Sequence, residues 1–182
     1  MRWDSLFADL EAQLNGEAAR DRVVEIQEMV RVERSQLPLA GRLAGHEGGL
    51  VTVVALGGLR LQGTLRHVGE GWLAIESGAG EYLLPTPALR SLEGVGARVA
   101  PEGPRRSKVS LRMALRAVVR DRAVVVLHSR DGDVLGTGTL DHVGTDYLQL
   151  AVHDASEYRR SPEVRSTLLV PLGALAALRR IA

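Results

Sequence analysis

The sequence predicts a mainly β protein with some α-helix: an N-terminal helical pair followed by two tandem five-stranded β-barrels, each preceded by a short helix. The main observation is a duplication, because residues 63–75 recur 75 residues later as residues 138–150. Apolar residues also alternate beside turn glycines in both copies, and they recur at helical spacing in residues 1–35. Self-similarity at one spacing indicates two copies of one small β unit.

The N-terminal helical pair is predicted for residues 1–35. Apolar residues lie on one helical face over residues 3–14 and again over residues 17–33, and Asn15-Gly16 between them is a helix stop. Each helix must bury its apolar stripe. It can do so against the β units or against another copy of the chain.

The first β unit is assigned to residues 36–94 and the second to residues 108–182, with a linker rich in glycine and proline at residues 95–107. A helix opens each unit, and Ser110 is placed to cap the second of these helices. Five strands follow in each unit. They are predicted at residues 50–56, 59–65, 72–77, 82–84 and after Pro85, and at residues 124–126, 134–140, 147–152, 167–170 and after Pro171.

The second strand of each unit carries a parity conflict. Leu65 and Val68 are both apolar but three residues apart, and Leu140 and Val143 repeat the pattern. Two residues of opposite parity cannot face one core along a regular strand. Each of these strands is therefore predicted to contain a bulge or a sharp bend.

Composition narrows the class of protein. Of the 182 residues, 45% are hydrophobic and 25% are charged, and no apolar run is long enough to span a membrane. The acidic start and the absence of cysteine favour a cytoplasmic location and exclude disulfides and thiolate metal sites. Units of this size are near the lower limit for a self-sufficient core, so oligomerisation is expected, with a dimer favoured over a ring.

Charge is uneven along the chain although the formal net charge is only +1. Residues 105–122 contain seven basic side chains and one acidic side chain, so an anionic partner is expected to bind here. The basic residues are Arg105, Arg106, Lys108, Arg112, Arg116, Arg120 and Arg122. Three of these arginines recur at four-residue spacing along one edge of the predicted helix. The alternative is a solvated face that neutralises acidic residues of the N-terminal helices.

Trp72 and Tyr147 occupy equivalent places at the start of the third strand of each unit. They are out of phase with the inward-facing leucines that follow them, so they are predicted to point away from the barrel core. Two roles are open. They can stack on nucleic-acid bases, or they can pack beneath the helix of their own unit or the N-terminal pair.

No catalytic or cofactor motif emerges. His67 and His142 match each other but have no second ligand at helical or hairpin spacing, so a structural role is favoured over metal binding. Residues 152–166 form an insertion between strands of the second unit, either a binding loop or a hairpin tip. We expect no metal, no cofactor and no enzymatic activity.

The short helix followed by Gly-Thr-Leu-x-x-Φ-Gly-x-x-aromatic-Leu-x-Φ, where Φ is apolar, resembles the Sm-like family of SH3-like small barrels that includes Hfq. The resemblance covers roughly residues 39–93 and 111–180. It implies strongly bent strands, rings in which strand four of one subunit pairs with strand five of the next, and RNA binding on the ring faces. The usual family aspartate after the second strand is replaced by Gly69 and Gly144. The layout also resembles a group of actinobacterial proteins with a helical N-terminus.

Two functions follow as hypotheses. The first is a non-catalytic, RNA-associated Sm-like module that uses residues 105–122 together with Trp72 and Tyr147. The alternative is a homo-oligomeric protein–protein interaction adaptor without nucleic-acid binding, assembled through the N-terminal helices or exposed strand edges.

Overall fold

Ten antiparallel strands form one continuous sheet in the computed structural model, which describes residues 38–96, 108–154 and 164–181. The first repeat contains α1 (Leu39–Ala44), β1 (Leu50–Ala55), β2 (Arg60–Gly69), β3 (Trp72–Ser77), β4 (Gly80–Pro85) and β5 (Leu89–Glu93). The second contains α2 (Leu111–Asp121), β6 (Val124–Ser129), β7 (Val134–Val143), β8 (Tyr147–Val152), β9 (Ser166–Pro171) and β10 (Leu175–Arg180). Short 3₁₀ turns occupy Leu56–Gly58, Thr86–Ala88 and Leu172–Ala174.

The two repeats have the same internal strand order. Along the sheet the order is β5-β1-β2-β3-β4-β10-β6-β7-β8-β9, so each repeat runs fifth, first, second, third, fourth. The repeats meet where β4 pairs with β10, with Leu83 opposite Leu178. The fourth strand of the first repeat is thus joined to the fifth strand of the second.

The prediction of two separate five-stranded barrels is wrong, because all ten strands belong to one sheet. The reason lies at the strand edges. β4 and β10 each have an edge of backbone amide and carbonyl groups, and their pairing supplies partners for both edges while merging the two repeats. The predicted N-terminal helical pair at residues 1–35 lies outside the described residues, as does most of the proposed linker.

The bulge expected in each second strand is confirmed. The register of β2 against β3 shifts between Leu65 and His67, and that of β7 against β8 shifts between Leu140 and His142. One extra residue in each strand reverses the parity, so both Leu65 and Val68 are buried. The duplicated sequence therefore produces a duplicated bend.

Each repeat has its own apolar cluster, and each cluster includes residues of the other repeat. Ala177 of β10 packs in the cluster of the first repeat, whereas Trp72 and Leu83 pack in the cluster of the second. The sheet and the cores are therefore joined at the same place. Among the described helices, none combines the length and apolarity that a bilayer crossing requires.

The helix α2 begins as the sequence predicts. The Ser110 side chain accepts a hydrogen bond from the Met113 amide at 3.4 Å, and the helix ends at Arg122 in a left-handed conformation. Its Leu115 side chain is fully buried against the sheet. α1 is much shorter, at six residues against eleven.

Candidate functional site: the repeat junction and its open counterpart

The junction between the repeats is built on the β4–β10 ladder. Leu83 and Leu178 lie opposite each other, and both are nearly inaccessible to solvent. Two residues further along, Arg180 pairs with Glu81 at 3.5 Å and with Asp121 of α2 at 2.7 Å. These ion pairs are exposed and contribute little, so apolar contact and backbone pairing hold the junction.

A second contact of the junction centres on the carbonyl oxygen of Val109. The indole Nε1 of Trp72 donates to it at 2.8 Å, and the Glu70 amide donates to it at 2.9 Å. Glu70 and Ser110 also form an isolated parallel bridge. The segment that leads into α2 is therefore docked on the turn between β2 and β3 of the preceding repeat.

Gly69 and Gly144 explain why an aromatic ring can lie over each of these turns. A Cβ atom at Gly69 would collide with the Trp72 indole and would lie 2.7 Å from the Val109 oxygen. A Cβ atom at Gly144 would collide with the Tyr147 ring. The absence of a side chain at both positions therefore makes room for the aromatic ring.

In the second repeat, no strand of the described part of the chain covers the equivalent surface. β9 is the last strand of the sheet and pairs with β8 alone among the described strands. Leu83 lies opposite Ala74 of β3, and Leu169 lies opposite the equivalent Gln149 of β8, so the two leucines correspond. Leu83 is 8% exposed and Leu169 is 61% exposed. Tyr147, the counterpart of the buried Trp72, is half-buried.

The opposite edge of the sheet is β5, which corresponds to β10. Leu92 of β5 lies opposite Val53, and Leu178 of β10 lies opposite Leu127, the residue equivalent to Val53. Leu92 is half-buried against the core of the first repeat. Among the described strands, the sheet therefore ends in a fourth strand at one edge and a fifth strand at the other, each paired on one side.

The predicted site residues fall into separate groups. Arg105 and Arg106 lie outside the described residues. Lys108, Arg112, Arg116 and Arg120 are exposed on or beside α2, as their pattern predicts. Trp72 is buried and hydrogen-bonded, so its ring is not available to stack on a base. Its partner is the second repeat, which differs from both packing partners that the sequence suggested.

The basic edge of α2 borders an open cleft of about 520 Å³. Arg116 and Arg120 line it from the helix, and Asp141 and His142 line it from β7. Arg112 reaches the turn after β7, where its Nη1 lies 3.5 Å from the Thr145 carbonyl oxygen. The two guanidinium groups of the cleft can bind an anionic group, and the Asp141 carboxylate offsets part of their positive charge.

A smaller cavity of about 370 Å³ lies beside the junction on the α2 side of the sheet. Ala74, Leu83, Leu178 and Val118 contribute apolar surface to it, and the Arg66–Glu76 ion pair borders it. Within the described ranges, no group of three metal-ligating side chains is found. The geometry therefore offers an apolar junction and a basic cleft.

Sequence reasoning missed Val109, Leu83 and Leu169. Val109 acts through its backbone carbonyl, which carries no residue-type signal. Leu83 and Leu169 could have been found, because a β pattern with an apolar residue on both faces of a fourth strand indicates a strand covered on both sides. No protein-family model, curated protein or solved structure matches this chain.

Proposed function

We propose that this protein is a non-catalytic module that assembles with copies of itself, the β9 edge of one chain pairing with the β5 edge of the next. The supporting observation is the β4–β10 junction, which is the same fourth-to-fifth strand pairing inside one chain. Exposed strand edges readily pair with another chain. The resemblance to Sm-like rings, which pair strand four with strand five between subunits, favours the same arrangement.

The internal junction also predicts the register of the external one. Because Leu83 lies opposite Leu178, the equivalent Leu169 is expected opposite Leu92 of the next copy. This pairing would bury the side chain that is now 61% exposed on β9. The interface between chains would keep the apolar contact of the internal junction. It would lack the flanking ion pair, because Thr167 and Gly94 stand at the positions of Glu81 and Arg180.

Such an interface joins different surfaces of the two copies, so it forms a closed ring or an open filament according to the rotation per step. The dimer that the sequence favoured would instead use the N-terminal helices, which the described residues do not include. The number of chains stays a prediction, as do the cytoplasmic location and the absence of catalysis.

Light scattering after size-exclusion chromatography tests the proposal. The wild-type protein is expected at a multiple of the single-chain mass, and Leu169→Glu is expected to shift it to a single chain, since a carboxylate would be buried at the interface. The matched control is Val134→Glu, which adds the same charge at another exposed apolar residue, on a strand paired on both sides. A wild-type single chain at high protein concentration would exclude edge pairing.

A second candidate function is binding of single-stranded RNA by the basic edge of α2. It is favoured by the exposed Arg112, Arg116 and Arg120 beside an open cleft, and it does not use Trp72. Changing Arg112→Glu together with Arg116→Glu should then weaken binding about equally for all RNA sequences and reduce its salt dependence. The control is Arg60→Glu with Arg66→Glu, two exposed arginines of β2. Absence of binding by the wild-type protein at low salt would rule out this function.

A further inference from the structure

The turn between β2 and β3 is a docking surface for the chain segment that precedes the next helix. We call residues 69–72 the first shelf. The Trp72 indole N–H and the Glu70 amide both donate to the Val109 carbonyl oxygen, at 2.8 and 2.9 Å. The contact fixes residues 108–110, and hence the start of α2, on the preceding repeat.

The second shelf, residues 144–147, shares one backbone hydrogen bond with the first, although Gly71 has a φ of 79° and the equivalent Asp146 is not in the left-handed region. In the first shelf the Thr86 amide donates to the Gly71 carbonyl at 2.8 Å, and in the second the Leu172 amide donates to the Asp146 carbonyl at 2.7 Å. An aromatic ring lies over a glycine in both. Thr145 stands in the place of Glu70, and the Tyr147 hydroxyl replaces the indole N–H as the side-chain donor.

The segment equivalent to residues 108–110 is residues 36–38. Gln36-Leu37-Pro38 precedes α1 as Lys108-Val109-Ser110 precedes α2, and Leu37 corresponds to Val109. A residue that precedes proline is biased towards the extended backbone, which is the conformation that a docked carbonyl requires. α1 packs on β2 as α2 packs on β7, so the two helices hold equivalent places on their repeats.

We infer that the second shelf binds residues 36–38 of the next copy, the Leu37 carbonyl accepting from the Thr145 amide and the Tyr147 hydroxyl. This inference rests on the proposed self-assembly, because pairing of β9 with the β5 edge of a second chain is what brings its α1 to this surface. The shelf adds a directional contact to the edge ladder. The shelf contact would favour a second copy of this chain over an unrelated extended strand. An unrelated strand paired with β9 would not carry a segment equivalent to residues 36–38 to the second shelf.

Photo-crosslinking tests the occupant directly. p-Benzoylphenylalanine is placed at Thr145, an exposed residue whose backbone amide the substitution retains, and in a second variant at Tyr147. Each variant is mixed with ¹⁵N-labelled wild-type protein, irradiated and digested with trypsin. The expected product joins the probe to the labelled peptide of residues 35–42, which ends at Arg42.

The outcomes separate the inference from the proposed function. Light scattering on the same mixtures shows whether the chains assemble. Assembly with crosslinks only to other labelled peptides would overturn the shelf contact and leave edge pairing intact, whereas single chains without crosslinks would overturn both. Tyr147→Phe is a further check that needs no probe, since it removes the hydroxyl donor and should raise the dissociation constant of the assembly by roughly tenfold, and an unchanged constant would contradict the inference.

Discussion

Leu83 and Leu169 hold the same position in the fourth strands of the two repeats, yet Leu83 is 8% exposed and Leu169 is 61% exposed. The difference arises because β10 pairs with β4, while β9 is the end of the described sheet. Moving a leucine side chain from water into an apolar contact stabilises by about 1.5–3 kcal/mol. The open edge therefore has a free-energy reason to pair with a second chain.

The Trp72 indole is predicted to stabilise the junction through its donor atom. Trp72→Phe removes the hydrogen bond to the Val109 oxygen and leaves a small void, so the free energy of unfolding should fall by about 1–2 kcal/mol. Urea unfolding followed by circular dichroism measures the change. Tyr147→Phe is the matched control. It is made in the Leu169→Glu variant, which is expected to be a single chain, and there the free energy of unfolding should change by no more than about 0.5 kcal/mol. Equal losses in the two variants would contradict a junction role for Trp72.

Gly69 and Gly144 are predicted to differ in their tolerance of a methyl group. Gly69→Ala forces a Cβ atom against a buried indole and a docked carbonyl, so it should destabilise by about 1–3 kcal/mol. Gly144→Ala meets the half-buried Tyr147 ring, which has room to move on its solvent side, so its cost should be smaller. Thermal and urea unfolding of the two variants checks this order. The reverse order would mean that the first shelf is not the tighter of the two.

Much of the local structure was predictable. The strand positions, the bulge between Leu65 and Val68 and the Ser110 cap follow from apolar spacing and from side chains that bond their own backbone. These features depend on residues close together in the chain. The duplication made each of them visible twice.

The joining of the repeats was not predictable in the same way. An apolar fourth strand such as the one containing Leu83 indicates that its edge is covered, but backbone pairing does not identify the strand that covers it. Trp72 was predicted to point away from the core of its own repeat, which is correct. Its partner, the Val109 carbonyl, carries no sequence signal, and so the shared junction emerged only from the structure.

His128 is predicted to make stability depend on pH. Burial, and then the nearby Arg179 guanidinium, lower the pKa of its imidazole below the usual 6.5. The unfolded chain then binds a proton more readily than the folded one, so stability is full above pH 6.5 and falls as the pH drops from there to the lower folded pKa. His128→Gln should flatten the curve of unfolding free energy against pH in this window. His142→Gln removes an exposed imidazole as the control, and identical curves for wild type and His128→Gln would contradict the assignment.

Disulfide trapping tests edge pairing most directly, because the natural chain has no cysteine. Leu92→Cys and Leu169→Cys are made in separate chains, mixed and mildly oxidised. Residues directly opposite in an antiparallel pair lie at about 4.5–5.5 Å between Cα atoms, within disulfide range. We predict a disulfide-linked pair from this mixture and far less when Leu168→Cys, on the opposite face of β9, replaces Leu169→Cys. Equal and low yields from both mixtures would contradict pairing of β9 with β5 in the register of the internal junction.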